Sequence, residues 1–137
     1  MTSASFRPHE RMSRPADFQR AFDRRRSASD EVLIVYGAEN GLDFPRLGIS
    51  LGRKRVRKAT DRNRVKRLIR EAFRLNKAVL PSGIDLVIVP RGPSLTFEQA
   101  NQSLPHLAAA VAARLARDRS RSRPRDRTRD PSSEATS

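Results

Sequence analysis

Apolar and polar residues along this chain alternate at two periods, and each period predicts an element. Phe18, Ala21 and Phe22 sit about one helical turn apart behind Ser13, Pro15 and Asp17. They predict a short helix capped by Ser13 that decays in Arg24-Arg25-Arg26-Ser27. Val32 to Tyr36 is rich in β-branched residues and predicts a strand. In Arg46 to Leu51, Leu47, Ile49 and Leu51 alternate with Gly48 and Ser50, the period of a strand with one buried face. Asn40-Gly41 and Pro45 punctuate the connection, so these two strands are expected to pair as an antiparallel hairpin. Val65, Leu68, Ile69, Ala72 and Phe73 then recur at the spacing of a buried helical face. That helix runs to about Asn76, with Thr60 or Asp61 expected as its cap. Pro81-Ser82-Gly83 breaks the chain ahead of Asp85-Leu86-Val87-Ile88-Val89-Pro90, a run apolar enough for a strand covered on both faces. Thr96 and Gln99 have capping-box spacing. They open a final helix carrying Leu104, Leu107, Ala108, Val111 and Leu115 on one side, which Pro105 is expected to kink or split near Ser103.

These elements bound one domain, residues 13–117. Residues 1–12 are polar and expected to be flexible. From Asp118 onward no large apolar residue occurs, and a disordered Arg/Ser/Asp/Pro tail is expected over 118–137.

Charge changes the picture. The net charge is +14, and Arg53 to Lys77 holds twelve Lys/Arg against two acids, Asp61 and Glu71. On the helix with the buried face Val65-Leu68-Ile69-Ala72-Phe73, the opposite side carries Asn63, Lys66, Arg67, Arg70 and Arg74. A mixed-sign solvated face would intersperse acids; this strip does not, and it suits a phosphate backbone. No cysteine is present, which excludes disulfides and thiolate metal sites and makes a cytoplasmic setting natural. The apolar runs are too short to span a bilayer, and Met1 to Arg14 lacks a signal-peptide core.

Self-contained catalysis finds little support. His9 and His106 have no partner at metal or triad spacing, Asp17, Asp23, Asp30 and Glu31 read as solvated surface, and the glycines form no phosphate loop. Single-strand RNA recognition needs aromatic faces and cations, and Phe18, Phe22 and Tyr36 are the candidate faces. On the residues alone, the Phe pair reads more readily as core than as a stacking platform. Asn63 could cap locally, or read a base edge or a phosphate. A structural ribosomal or nucleoid nucleic-acid-binding protein without a role in cleavage shares the charge and is the alternative.

In order along the chain, Asp17-Phe18-Gln19-Arg20-Ala21-Phe22, Val35-Tyr36, Arg46-Leu47-Gly48-Ile49-Ser50, Arg53-Lys54-Arg55, Arg62-Asn63-Arg64-Val65-Lys66-Arg67-Leu68-Ile69-Arg70-Glu71-Ala72-Phe73 and Asp85 to Arg91 resemble the protein subunit of bacterial ribonuclease P. The resemblance implies an α+β fold: an α/β sandwich of order αβββαβα, a central sheet with helices packed on it, and a left-handed βαβ crossover. It implies that Arg53, Lys54, Arg55, Arg62, Asn63, Arg64, Lys66, Arg67 and Arg70 bind a catalytic RNA. It also implies that Phe18, Phe22 and Tyr36 line a cleft for the single-stranded 5′ leader of precursor tRNA. Ribonuclease P RNA, 1:1 with the protein, and precursor tRNA are the implied partners. Catalysis and the Mg²⁺ are implied to reside in the RNA, with no catalytic or metal-binding residue in this chain. Two positions depart from the family pattern: Arg25 stands near a frequent glycine, and Arg57 takes the place of a glycine ahead of the basic helix.

Overall fold

The computed structural model of the chain describes residues 8–121. A turn of 3-10 helix, Pro8–Glu10, leads into α1 (Pro15–Arg24). There follow β1 (Ser27–Ser29), β2 (Leu33–Glu39), β3 (Arg46–Ile49), α2 (Ala59–Asn76), β4 (Ile84–Pro90) and α3 (Phe97–Arg121). After the opening turn the order is αβββαβα, the α+β sandwich expected. The four strands lie in the order β1-β2-β4-β3, with β4 antiparallel to β2 and parallel to β3.

The expected hairpin of β2 with β3 does not form, because β4 is inserted between them. That arrangement gives the most continuously apolar strand two neighbours and leaves the shorter β1 and β3 at the edges. β1 itself, Ser27-Ala28-Ser29, has no β-branched run to announce it. Its register is fixed by β2, with Ser27 opposite Tyr36 and Ala28 opposite Val35.

The sheet has two unequal faces. Leu33 and Val35 of β2, Leu47 of β3, and Leu86 and Ile88 of β4 face α2 and α3, where they pack with Val65, Ile69, Phe73, Leu104, Val111 and Leu115. Close approach of α3 requires Gly37, since a Cβ there would lie 2.4 Å from Val111 Cγ1. Among the described residues, the second face, carrying Tyr36, Ala38, Val87 and Val89, is covered only by the ten-residue α1 through Phe18, Ala21 and Phe22, with Met12 beside them.

Helix ends differ from expectation in instructive ways. Neither Ser13 nor Thr60 nor Asp61 caps a helix: the cap positions are Arg14 and Lys58, and neither makes a side-chain cap hydrogen bond. Pro15 in the first turn holds Arg14 extended, and the basic helix starts at Ala59, so Thr60 and Asp61 already lie inside its first turn. The Thr96–Gln99 capping box forms as expected, with reciprocal bonds of 3.0 and 3.2 Å. Pro105 does not split α3. Buried residues on both sides of it, Ala100, Leu104, Leu107, Ala108 and Val111, hold the helix to the sheet while one backbone hydrogen bond is lost. Asp118 to Arg121, expected as tail, continue α3; the remainder of the tail, 122–137, lies outside the described residues. Residues 8–12, expected to be flexible, are tied down. Met12 is buried and its amide donates to Leu47 O at 2.9 Å, and the Glu10 carboxylate lies 2.8 Å from Lys77 Nζ. Residues 1–7 lie outside the described residues.

Candidate nucleic-acid interface

α1 crosses the second face from β3 toward β2. Phe18 lies over Gly48, and Phe22 meets Tyr36 edge-on, with ring centroids 4.9 Å apart at 77°. A ten-residue helix cannot cover the face, so Phe18, Phe22, Tyr36, Ile34 and Val89 are each only half-buried. Ile34 pairs with Val89 and Tyr36 with Val87, so these side chains form one floor. At the β3 edge Phe18, Met12 and Gly48 line a small cleft with Lys66 and Arg70 of α2. Each ring of the Phe pair packs on the sheet and is left half-buried.

α1 is fastened by a carboxylate that the sequence reading passed over. Asp85 is fully buried and accepts both arms of the Arg46 fork at 2.7 and 2.6 Å, Arg20 Nη2 of α1 at 2.8 Å and Asn40 Nδ2 at 3.0 Å. The bidentate bond to Asp85 outweighs partial burial and raises the Arg46 pKa. The available signal was an acid opening an otherwise apolar run.

The cations divide by what they touch. In the connector before α2, Val56 is buried and its amide donates to Gly52 O at 3.2 Å, which closes a turn from which Arg53, Lys54 and Arg55 project into solvent. Arg62 Nη1 donates to the carbonyls of Val56 and Arg57 at 3.0 and 2.8 Å. Arg64 donates to Leu95 O at 2.9 Å and to Pro93 O. The two arginines of the triplet therefore brace the loops on either side of the α2 N-terminus. Asn63, exposed between them, and Lys66, Arg67 and Arg70 make no hydrogen bond or ion pair among the described residues. Arg74 is different: its hydrogen bond to Glu71 raises its own pKa and lowers that of the carboxyl. The first-turn amides of α2 have no side-chain cap, and a helix N-terminus in that state favours an anion.

The departures at Arg25 and Arg57 resolve differently. Arg25 ends α1 at φ 60°, the left-handed conformation that glycine adopts without strain. Arg57 is not among the positive-φ residues, so its loop does not depend on a glycine. His9 packs edge-on against Phe44 at 5.1 Å, and His106 is exposed on α3. Among the described residues no three His, Asp or Glu side chains converge as a metal site, and no helix is long and apolar enough to cross a membrane.

A family model described as Ribonuclease P matches residues 6–112. The chain belongs to the ribonuclease P protein family. Curated ribonuclease P protein components resemble it closely. That of Methylococcus capsulatus is 44% identical over 90 residues, covering 66% of this chain and 70% of the relative. That of Thermotoga maritima is 46% identical over 87 residues, covering 64% and 74%. Among solved structures, the RNase P protein from Thermotoga maritima superposes with a TM-score of 0.65 at 38% identity, over 72% of this chain and 94% of the other. The RNase P protein of Staphylococcus aureus superposes with a TM-score of 0.63 at 32% identity, over 78% and 94%. As a ribonuclease P protein, the chain is a subunit of a tRNA-processing endoribonuclease and has ribonuclease P RNA as a partner.

Proposed function

We propose that this subunit holds the catalytic RNA with the outward side of α2 and its preceding connector, and holds the 5′ leader of precursor tRNA on the half-covered sheet face. In this way it promotes endonucleolytic removal of the leader. The observation that carries the reading is the shared cleft at the β3 edge, where Phe18 meets Lys66 and Arg70. Stacking faces and phosphate-seeking cations on one groove are what a single strand requires, and base–aromatic stacking contributes about 1–3 kcal/mol per base. Phe18, Phe22 and Tyr36 stack leader bases; Lys66 and Arg70 pair with phosphates where the leader approaches the catalytic RNA. Arg53, Lys54, Arg55, Asn63 and Arg67 contact the catalytic RNA, and Arg62 and Arg64 present that surface by bracing its loops. The reaction's Mg²⁺ and its activated water belong to the RNA. The chain's cations offset phosphate repulsion around them, so the protein's effect is greatest at low Mg²⁺. One protein per RNA, acting in the cytoplasm, completes the proposal.

Reconstitution with a bacterial ribonuclease P RNA tests it. Precursor tRNA cleavage at low Mg²⁺ should require the protein, and precursor should be bound in preference to mature tRNA. Protein that binds ribosomal RNA or duplex DNA equally well and leaves cleavage unchanged would favour a structural nucleic-acid-binding role instead.

A further inference from the structure

α3 continues to Arg121, nine residues beyond the segment matched by the family model, which ends at residue 112. In that extension Arg114, Arg117 and Arg121 recur at i, i+3 and i+7, which places them along one stripe. The stripe is fixed in place. Arg114 Nη1 donates to Ser27 O of the edge strand β1. Asp118 accepts from Arg26 at 2.5 and 3.0 Å and from Arg24 at 2.9 Å, bonds that hold its carboxyl well below the usual carboxylate range. The one acid on the stripe is therefore already neutralised by Arg24 and Arg26. Arg117 is exposed and makes no hydrogen bond or ion pair among the described residues, while Arg121 is 72% exposed and only 3.9 Å from Asp118. Arg26, Arg114, Arg117 and Arg121 enclose a small open groove around Asp118.

The position of this groove is informative. Ser27, which Arg114 grips, is the register partner of Tyr36, and Tyr36 touches Phe22. The stripe thus stands at the β1 edge, beside the strand that carries Tyr36, and α3 reaches that edge from the sheet's other face. Lys66 and Arg70 stand at the opposite, β3 edge. A single strand laid across the aromatic face would meet Lys66 and Arg70 at one edge and, on rounding the other, the α3 arginines.

We propose that the terminal turns of α3 extend the cleft, binding phosphates of the 5′ leader that lie upstream of the nucleotides stacked on Phe22 and Tyr36. This rests on the leader-cleft reading above. Arginine forks suit phosphodiester oxygens; among the described residues Arg117 has no acid partner, and Arg121 shares at 3.9 Å an Asp118 already held by Arg24 and Arg26.

The test uses holoenzyme reconstituted from the full chain and a bacterial ribonuclease P RNA, with precursor tRNAs bearing leaders of about four and about sixteen nucleotides, the range of site sizes of single-strand-binding OB-folds. Three proteins are compared: wild type, Arg117→Glu with Arg121→Glu, and Phe18→Ala. In the arginine variant, the affinity advantage of the long leader over the short one should fall by roughly tenfold, and the salt slope for the long leader by about 1.4, as two lost single-strand phosphate contacts dictate. Phe18→Ala should weaken both leaders. A long-leader advantage that survives the arginine substitutions overturns the extension. So does a loss shared equally by long leader, short leader and mature tRNA, which would assign the stripe to the catalytic RNA. If Phe18→Ala instead leaves both leaders unaffected, the cleft reading itself fails, and that result is separable from the other two. Both arginines are exposed, so thermal melting of the free variant should match wild type.

Discussion

Replacing Gly48 with alanine tests whether the geometry of the sheet face sets the position of the stacking ring. A Cβ at Gly48 would lie 2.8 Å from Cε2 and Cζ of Phe18 and 3.0 Å from Met12 Sδ. Carbon atoms in contact prefer about 3.5–4.0 Å, so the ring must lift off β3 by roughly 1 Å. Overpacking of this kind costs about 1–3 kcal/mol. At about 4 °C per kcal/mol for a domain of this size, the melting temperature should fall by about 4–12 °C. The lifted ring also loses its alignment with Lys66 and Arg70, so the precursor-over-mature affinity ratio of the reconstituted holoenzyme should drop as well. Combining Gly48→Ala with Phe18→Leu relieves the clash, and should recover much of the stability and none of the ratio. Melting and tRNA affinity are measured on the same preparations. A Gly48→Ala protein with unchanged melting would refute the packing, and one that melts early but keeps its full ratio would refute the role of Phe18.

Three other outcomes follow from named contacts. Asp85→Ala leaves Arg46 and Arg20 without their buried anion, and urea unfolding should show a loss of about 3–5 kcal/mol, the usual cost of breaking a buried pair from one side. Arg67→Ala should lower the salt slope of catalytic-RNA binding by about 0.7–0.9, one phosphate contact. Arg64→Ala should leave that slope unchanged, speed amide exchange in the loop around Pro93 and Leu95, and cost about 1 kcal/mol of stability. Acid sensitivity has a defined sign. Burial raises the Asp30 and Glu39 carboxyl pKa values, but hydrogen bonds outweigh it: Ser103 and the Leu33 and Val32 amides on Asp30, Arg24 and Arg119 on Glu39, so both end below their ordinary 3.8 and 4.5. With Asp118 also depressed, their stabilisation is present above those values and lost as pH falls through the lower folded-state ones. Melting temperature should hold steady from neutrality to about pH 5 and decline below about 4, and Asp118→Asn should flatten part of that decline.

The elements that announced themselves in the sequence are those whose own periodicity fixes them. α2 and α3 each bury a stripe read directly from spacing, and β4 is apolar but for Asp85. Local chemistry was less reliable. Thr96 and Gln99 met as a capping box, whereas Thr60 and Asp61 did not cap, because the basic helix begins before them. Strand neighbours were illegible: whether β3 pairs with β2 or with β4 depends on long-range burial that no local pattern records. β1 has no pattern of its own and exists because β2 offers an edge. In the candidate site, the cationic face and the aromatic positions were legible, while the direction of each arginine was not. Arg62 and Arg64 look like their neighbours in sequence, yet they turn to backbone carbonyls that only the folded connector and the β4–α3 loop bring into reach. Gly48 and Asp85 were passed over for the same reason: one matters for what lies above it, the other for three side chains arriving from distant segments.

The central claim is that the leader lies on the half-covered sheet face. Crosslinking tests it most directly: a photoreactive base is placed in the leader of precursor tRNA, bound in the reconstituted holoenzyme, and the attached peptides are mapped. The account predicts attachment within α1 and β2, at or beside Phe18, Phe22 and Tyr36, competed by precursor and not by mature tRNA. Attachment confined to the connector before α2 and the outward face of α2, with none in α1 or β2, would contradict it.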